Sequence, residues 1–165
     1  MADAGRAAKA PIRRAIIWTA TLALLFLAGC AAPPPRAEQP KPDPTKQAGY
    51  AEAVDALAAL DREAADLLKS GRAEDAADAI TKGQPLQTRL LAAPRPTLEA
   101  MEAVADLDDL YARMLLSNGH DGDARMLLQK NRARWKNWKP QTAETMRRLQ
   151  QAEDGIAECD RRLRR

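Results

Sequence analysis

The chain has little of what chemistry needs. Its 165 residues include one histidine, His120, two cysteines, Cys30 and Cys159, and two serines, Ser70 and Ser117, each at the end of a predicted helix. No Ser/His/Asp or Cys/His set can be assembled from these, and one His with one further Cys makes a poor zinc site. No glycine-rich phosphate loop follows a strand, because no segment reads as a strand. Three acids crowd together at Asp106, Asp108 and Asp109, but Leu107 and Leu110 interleave with them on a predicted helix, which reads as a solvated face. Asn118, His120, Asp121 and Asp123 form the one oxygen-rich loop. It lacks the spacing and closing Glu of a calcium loop, and Asp121 or Asp123 capping the next helix accounts for it. We therefore expect a protein that is not an enzyme and that holds no cofactor and no metal.

Charge is missing from Ala15 to Ala28, behind a positive flank of Arg6, Lys9, Arg13 and Arg14. At 1.5 Å per residue this run reaches about 21 Å, short of the ~30 Å of bilayer hydrocarbon. It suits the apolar region of a signal peptide, which spans roughly 7–15 residues and closes on small ones. An uncleaved signal anchor is the alternative, since the uncharged stretch runs on from Ala15 to Pro35; the prolines at 33–35 oppose it, because they cannot continue a helix.

The closing residues, Leu27-Ala28-Gly29-Cys30, resemble the lipobox of bacterial lipoproteins. That resemblance implies cleavage between Gly29 and Cys30, diacylglycerol on the Cys30 sulfur, and acylation, as with palmitate, of the new amino terminus. Residues 1–29 are then a lipoprotein signal peptide, and the mature chain is held by lipid in the cell envelope. Ala31 after the cysteine is similar to the pattern of lipoproteins sent to the outer membrane, facing the periplasm. Each buried methylene adds ~0.8 kcal/mol, so two acyl chains anchor stably.

The basic balance does not survive that cut. The whole chain carries 26 basic and 23 acidic residues, a net +3. Without residues 1–29 the numbers are 22 and 22, so no nucleic-acid partner is expected. Residues 30–48 then form a tether. Between Ala31 and Gln47 there are six prolines and no large apolar residue, a composition that stays extended and solvated.

From residue 49 to 165 the pattern is helical, rich in Ala and Leu with Gly and Pro as punctuation. Tyr50, Val54, Leu57, Leu60, Ala64 and Leu67 recur at helical spacing, and Gly71 fits the C-cap. A second helix is expected from Ala73, broken or kinked at Gly83 and Pro85. A third is expected to start at Pro96 and end at Asn118-Gly119. A fourth is expected from Asp123 to Trp138, with a fifth beyond Pro140.

Leu67-Leu68 through Ala76 echoes Leu115-Leu116 through Ala124 at an offset of 48 residues, matching in Leu, Leu, Gly, Asp and Ala. Each copy is a helix end, a glycine turn and a new helix. Gly71-Arg72-Ala73-Glu74-Asp75-Ala76, with Ile80 after it, resembles the inter-helix turn of tetratricopeptide repeats, over about 20 residues in each copy. The spacing is longer than the ~34 residues of that family. The expected fold is all-α: two stacked helical hairpins plus a C-terminal helix.

The segment Lys130, Arg132, Arg134, Trp135, Lys136, Trp138, Lys139 interleaves five cations with two indoles, as binders of anionic surfaces do. Against that, Ala124, Leu128, Asn131, Trp135 and Trp138 share one helical face, so both tryptophans read as core anchors. Charge is also segregated: residues 49–128 carry −7 and residues 129–165 carry +6, which fits C-terminal helices packing across acidic hairpins. Cys159 lies in the stripe Leu149, Ala152, Ile156, Cys159, Leu163. Either it is buried as a small hydrophobe, or, as the one thiol left in an oxidising compartment, it joins two protomers through the C-terminal helix. The expected function is a membrane-anchored helical scaffold that binds another envelope protein. The alternative is a binder of a small ligand or of peptidoglycan, using a groove between hairpins.

Overall fold

Residues 42–165 are described by the computed structural model; the lipobox, Cys30 and the first part of the tether lie outside them. The last tether residues are not extended. Pro44–Lys46 form a 3-10 turn that packs on the first helix, with the Asp43 carboxylate accepting from the Thr45 N–H (3.0 Å) and hydroxyl (2.7 Å).

The described residues are all-α. Five helices follow in order: α1 (Tyr50–Lys69), α2 (Ala73–Leu91), α3 (Leu98–Ser117), α4 (Asp121–Asn137) and α5 (Ala143–Arg162). Helices α1 and α2 form one hairpin, and α3 and α4 form the next. The second hairpin packs on the first mainly through α3 against α1, and α5 packs against α4.

The two hairpin turns are built alike, atom for atom along the backbone. In the first, the Arg72 N–H donates to the Leu67 carbonyl (2.9 Å) and the Gly71 N–H to that of Leu68 (3.1 Å). In the second, His120 donates to Leu115 (2.9 Å) and Gly119 to Leu116 (3.3 Å). Both satisfy the orphan carbonyls of a helix end by the Schellman pattern, which needs a left-handed residue at its centre. Gly71 has φ 73° and Gly119 has φ 77°.

Burial follows the same 48-residue offset. Leu57 and Ala105, Ala64 and Ala112, and Ala76 and Ala124 are all buried in pairs. In α5 the pattern returns once more, with Ala152 and Cys159 buried seven residues apart, as Leu57 and Ala64 are. Small residues at these positions let neighbouring backbones approach closely.

Three expectations on helix boundaries are corrected. Helix α2 runs unbroken through Gly83 and Pro85. The proline ring and Thr81, whose carbonyl loses its donor, both face solvent. A proline inside a helix costs ~3 kcal/mol. Ile80 and Leu90, five residues to either side and both buried, each return about 1.5–3 kcal/mol. Helix α3 begins at Leu98 and not at Pro96, because the Thr97 hydroxyl caps it by accepting from the Ala100 N–H (3.3 Å). Helix α4 begins at Asp121 behind His120, so neither Asp121 nor Asp123 is its cap.

Candidate interaction groove

Helix α4 carries the basic, tryptophan-containing segment, and its faces meet different surroundings. Asn131 is fully buried. Its amide donates to the Ala105 carbonyl (3.0 Å) and to the Asp109 carboxylate (2.6 Å), and its own oxygen accepts from Arg134. Arg134 is only 8% exposed and holds one Asp108 oxygen through both terminal nitrogens (3.2 Å each). The other Asp108 oxygen accepts from Gln87 (3.0 Å), which also donates to the Val104 carbonyl (3.2 Å).

The acids of α3 are therefore not a solvated face. Asp108 and Asp109 are partners of α2 and α4, and Asp106 pairs with Arg148 of α5 (2.5 Å). A surface role for them was the natural reading of a leucine-interleaved acidic run. What overturned it is the cations and amides that the fold delivers from 20 to 40 positions away. Burial pushes the Asp109 carboxyl above its usual value, opposed by its bond from Asn131. Burial also raises Asp61 of α1, helped by the nearby charge of Asp106.

Trp135 is completely enclosed, with the Arg148 guanidinium 5.4 Å from its ring centroid. Trp138 does not join it. Helix α4 ends at Asn137, and Trp138 turns to extended backbone (φ −64°, ψ 141°), which takes its indole off the helical stripe. Gln141 closes this helix end by donating to the carbonyls of Trp135 (2.8 Å) and Trp138 (2.7 Å). The expectation that both indoles are core anchors holds for Trp135 alone, and Trp135 and Arg134 do not belong to the exposed surface drawn for this segment.

The half-exposed Trp138 lines an open groove of about 900 Å³. Its apolar wall is completed by Pro94, Pro96 and Met101, from the connection between hairpins and the start of α3. Arg95, Lys130 and Lys139 stand around it, and no carboxylate lines it. Lys130 also borders a second recess of about 390 Å³, between α2, α3 and α4, where Ile80, Thr88, Leu107 and Tyr111 lie. The two recesses meet at that lysine. Arg132 points elsewhere, toward Glu153 of α5 (3.0 Å), and Lys136 is exposed outside the groove.

Pro94, Arg95, Pro96 and Met101 had no part in the sequence reading of this surface. They lie about 40 positions before Trp138, and the one local signal, a cation between two prolines, marks a connection without saying what faces it. The buried amide of Asn131 had a better signal: it sits in the core register of Ala124, Leu128 and Trp135.

Cys159 is buried with Ala112, Ala124 and Leu128 between α4 and α5. Burial, then the charge of Asp121, pushes its thiol up, away from the reactive thiolate. Of the two readings of Cys159, burial as a small hydrophobe matches this placement; a disulfide to a second protomer would require α5 to leave its neighbours. His120 is exposed at the start of α4 and makes no capping bond. Among the described residues no three His, Cys, Asp or Glu side chains are grouped for a metal, and no helix is long and apolar enough to cross a membrane.

No family model, no curated protein and no solved structure matches this chain.

Proposed function

We propose that the protein is a non-catalytic envelope lipoprotein, anchored by lipid on Cys30, whose stacked hairpins present the Trp138 groove to another envelope protein. The groove itself carries the reading. An open trough of about 900 Å³ with one large aromatic, two prolines and a methionine on its walls offers an apolar anchor site within a polar rim, which is how protein interfaces are built. Small-molecule sites of this volume enclose 70–90% of their ligand, and an open trough leaves much more of an occupant in water. Polymer segments, which enter and leave along the trough, suit it better. Arg134, the one nearly enclosed cation of its lining, is held by Asp108 and by the Asn131 oxygen behind the groove.

The test places a photo-crosslinking residue at Ala133, on the groove floor, and at Gln150, on the exposed face of α5. Crosslinks to a discrete partner from position 133 and not from 150 are expected, in cells where labelled palmitate enters the wild type and not Cys30→Ala. Equal crosslinking from both positions would sink the groove reading, and absence of palmitate in the wild type would sink the anchor.

A second reading, a binder of peptidoglycan or a small ligand, rests on the recess beside Tyr111, whose roughly 390 Å³ falls within the size of small-molecule sites. Co-sedimentation with purified sacculi, lost in Tyr111→Ala, is the outcome it requires.

A further inference from the structure

The groove's chemistry points to the nature of its occupant, and this step rests on the scaffold reading above. We propose that the Trp138 groove recognises an acidic segment of a partner protein that alternates carboxylates with apolar side chains.

Charge is the first argument. Arg95, Lys130 and Lys139 ring the groove, and among the described residues none of them is engaged in an ion pair. The contrast with their neighbours is informative. Arg132 is held by Glu153, Arg134 by Asp108, Arg148 by Asp106 and Arg125 by Asp160. Of the cations that line the trough, Arg134 is nearly enclosed and held by Asp108, while the exposed Arg95, Lys130 and Lys139 have no carboxylate partner among the described residues. Three like charges around a shared hollow repel one another, and an incoming anion relieves that repulsion while its apolar part covers the indole.

Shape is the second. The cations stand on the rim of a trough whose floor is α4 and whose far wall is the Pro94–Pro96 connection. A flat bilayer surface meets the exposed cations first and has no side chain to lay along the proline wall. A chain segment can do both at once, laying an apolar side chain against Trp138, Pro94 and Pro96 while its carboxylates reach Arg95, Lys130 and Lys139. A proline-lined wall also stays in place on binding, since its backbone has little freedom to lose.

The probe is a short fluorescein-labelled peptide of alternating glutamate and leucine, with a lysine-for-glutamate peptide as its counterpart. Anisotropy is measured on the full chain in non-ionic detergent. The acidic peptide should bind at least roughly tenfold more tightly than the basic one, and weaken as salt shortens the Debye length below ~8–10 Å. Changing Arg95, Lys130 and Lys139 together to Gln should abolish the preference, Trp138→Ala should weaken binding of the acidic peptide, and Lys136→Gln, outside the groove, should change neither. All three groove cations are exposed or rim residues, so circular dichroism should be the same for every variant. Equal affinity for both peptides, or no binding of either, overturns the proposal. So does displacement of the bound peptide by phosphatidylglycerol vesicles and not by phosphatidylcholine vesicles, the result for a headgroup site. If position 133 still crosslinks to a partner in cells while the peptides are not distinguished, the acidic chemistry fails and the scaffold reading stands. If that crosslink is absent as well, both fail.

Discussion

The guanidinium of Arg148 lies over the buried ring of Trp135, 5.4 Å from its centroid, and reaches past it to the Asp106 carboxylate at 2.5 Å. One residue of α5 thus closes the core of the second hairpin and ties α5 to α3. The basic C-terminal third meets the acidic hairpins here, and also at Arg134 and Asp108, where the pair is nearly enclosed. Exposed pairs elsewhere, such as Arg132 with Glu153, add at most about 1 kcal/mol each.

Truncating the two neighbouring indoles should have unequal consequences. Trp135→Ala opens a cavity beneath Arg148 and should cost ~3–5 kcal/mol in urea unfolding. Trp138→Ala, at a half-exposed helix end, should cost less than about 1.5 kcal/mol. In acrylamide quenching, Trp138 should be accessible and Trp135 protected; equal quenching of single-tryptophan variants would contradict their placement.

Gly71 and Gly119 isolate the cost of backbone strain. A Cβ at either position would meet nothing within 4 Å, so any loss on substitution comes from φ alone. Gly71→Val and Gly119→Val should each destabilise by about 1–2 kcal/mol, and by similar amounts because the two turns share one hydrogen-bond pattern. An unchanged melting temperature for both would mean that the hairpins are turned in some other way.

Two helical glycines should respond in opposite directions to alanine. At Gly83 an added Cβ would lie 2.5 Å from Leu107 Cδ2 and 3.1 Å from Leu57 Cδ1, in the middle of the first core. Overpacking there costs about 1–3 kcal/mol, more than the ~1 kcal/mol that better helix propensity returns. Gly122 faces open space in the first turn of α4. Gly122→Ala should therefore stabilise by about 0.5–1 kcal/mol while Gly83→Ala lowers the melting temperature. A gain at both positions would show that Leu107 can move aside.

The buried Asp109 carboxyl makes a prediction with a definite sign. Its folded pKa is raised above the ordinary 3.8, chiefly by burial, so the folded state holds its proton more tightly than the unfolded chain does. Its contribution is then least unfavourable below 3.8 and grows unfavourable as pH rises through the folded value. Asp109→Asn removes the buried charge and keeps an oxygen to accept from Asn131. The variant should be at least as stable as wild type at neutral pH, with the difference vanishing under acid. A variant less stable at pH 7 than at pH 3, relative to wild type, would contradict the raised value.

Much of the fold was legible because its signals act over a few residues. Gly71 and Gly119 each decide a turn through their own φ, and the alanines and leucines of α1 to α5 mark their faces at a spacing set by the helix itself. The 48-residue echo was visible in letters and returns as the same hydrogen bonds and the same buried positions. Pro85 does not end its helix for the complementary reason: the local penalty of a proline is fixed, while the packing of Ile80 and Leu90 that outweighs it depends on α1 and α3.

By itself the sequence determined that the described chain is helical, where its turns fall, and which side chains are apolar enough to bury. Only the tertiary structure decided that Asp108 and Asp109 turn inward, that Trp135 is enclosed while Trp138 is not, and that a proline-flanked Arg95 faces Lys130 and Lys139. Those outcomes depend on groups some 20 to 40 residues apart meeting across a helix interface, and the periodicity of one helix carries no information about the charge or shape of the helix packed against it.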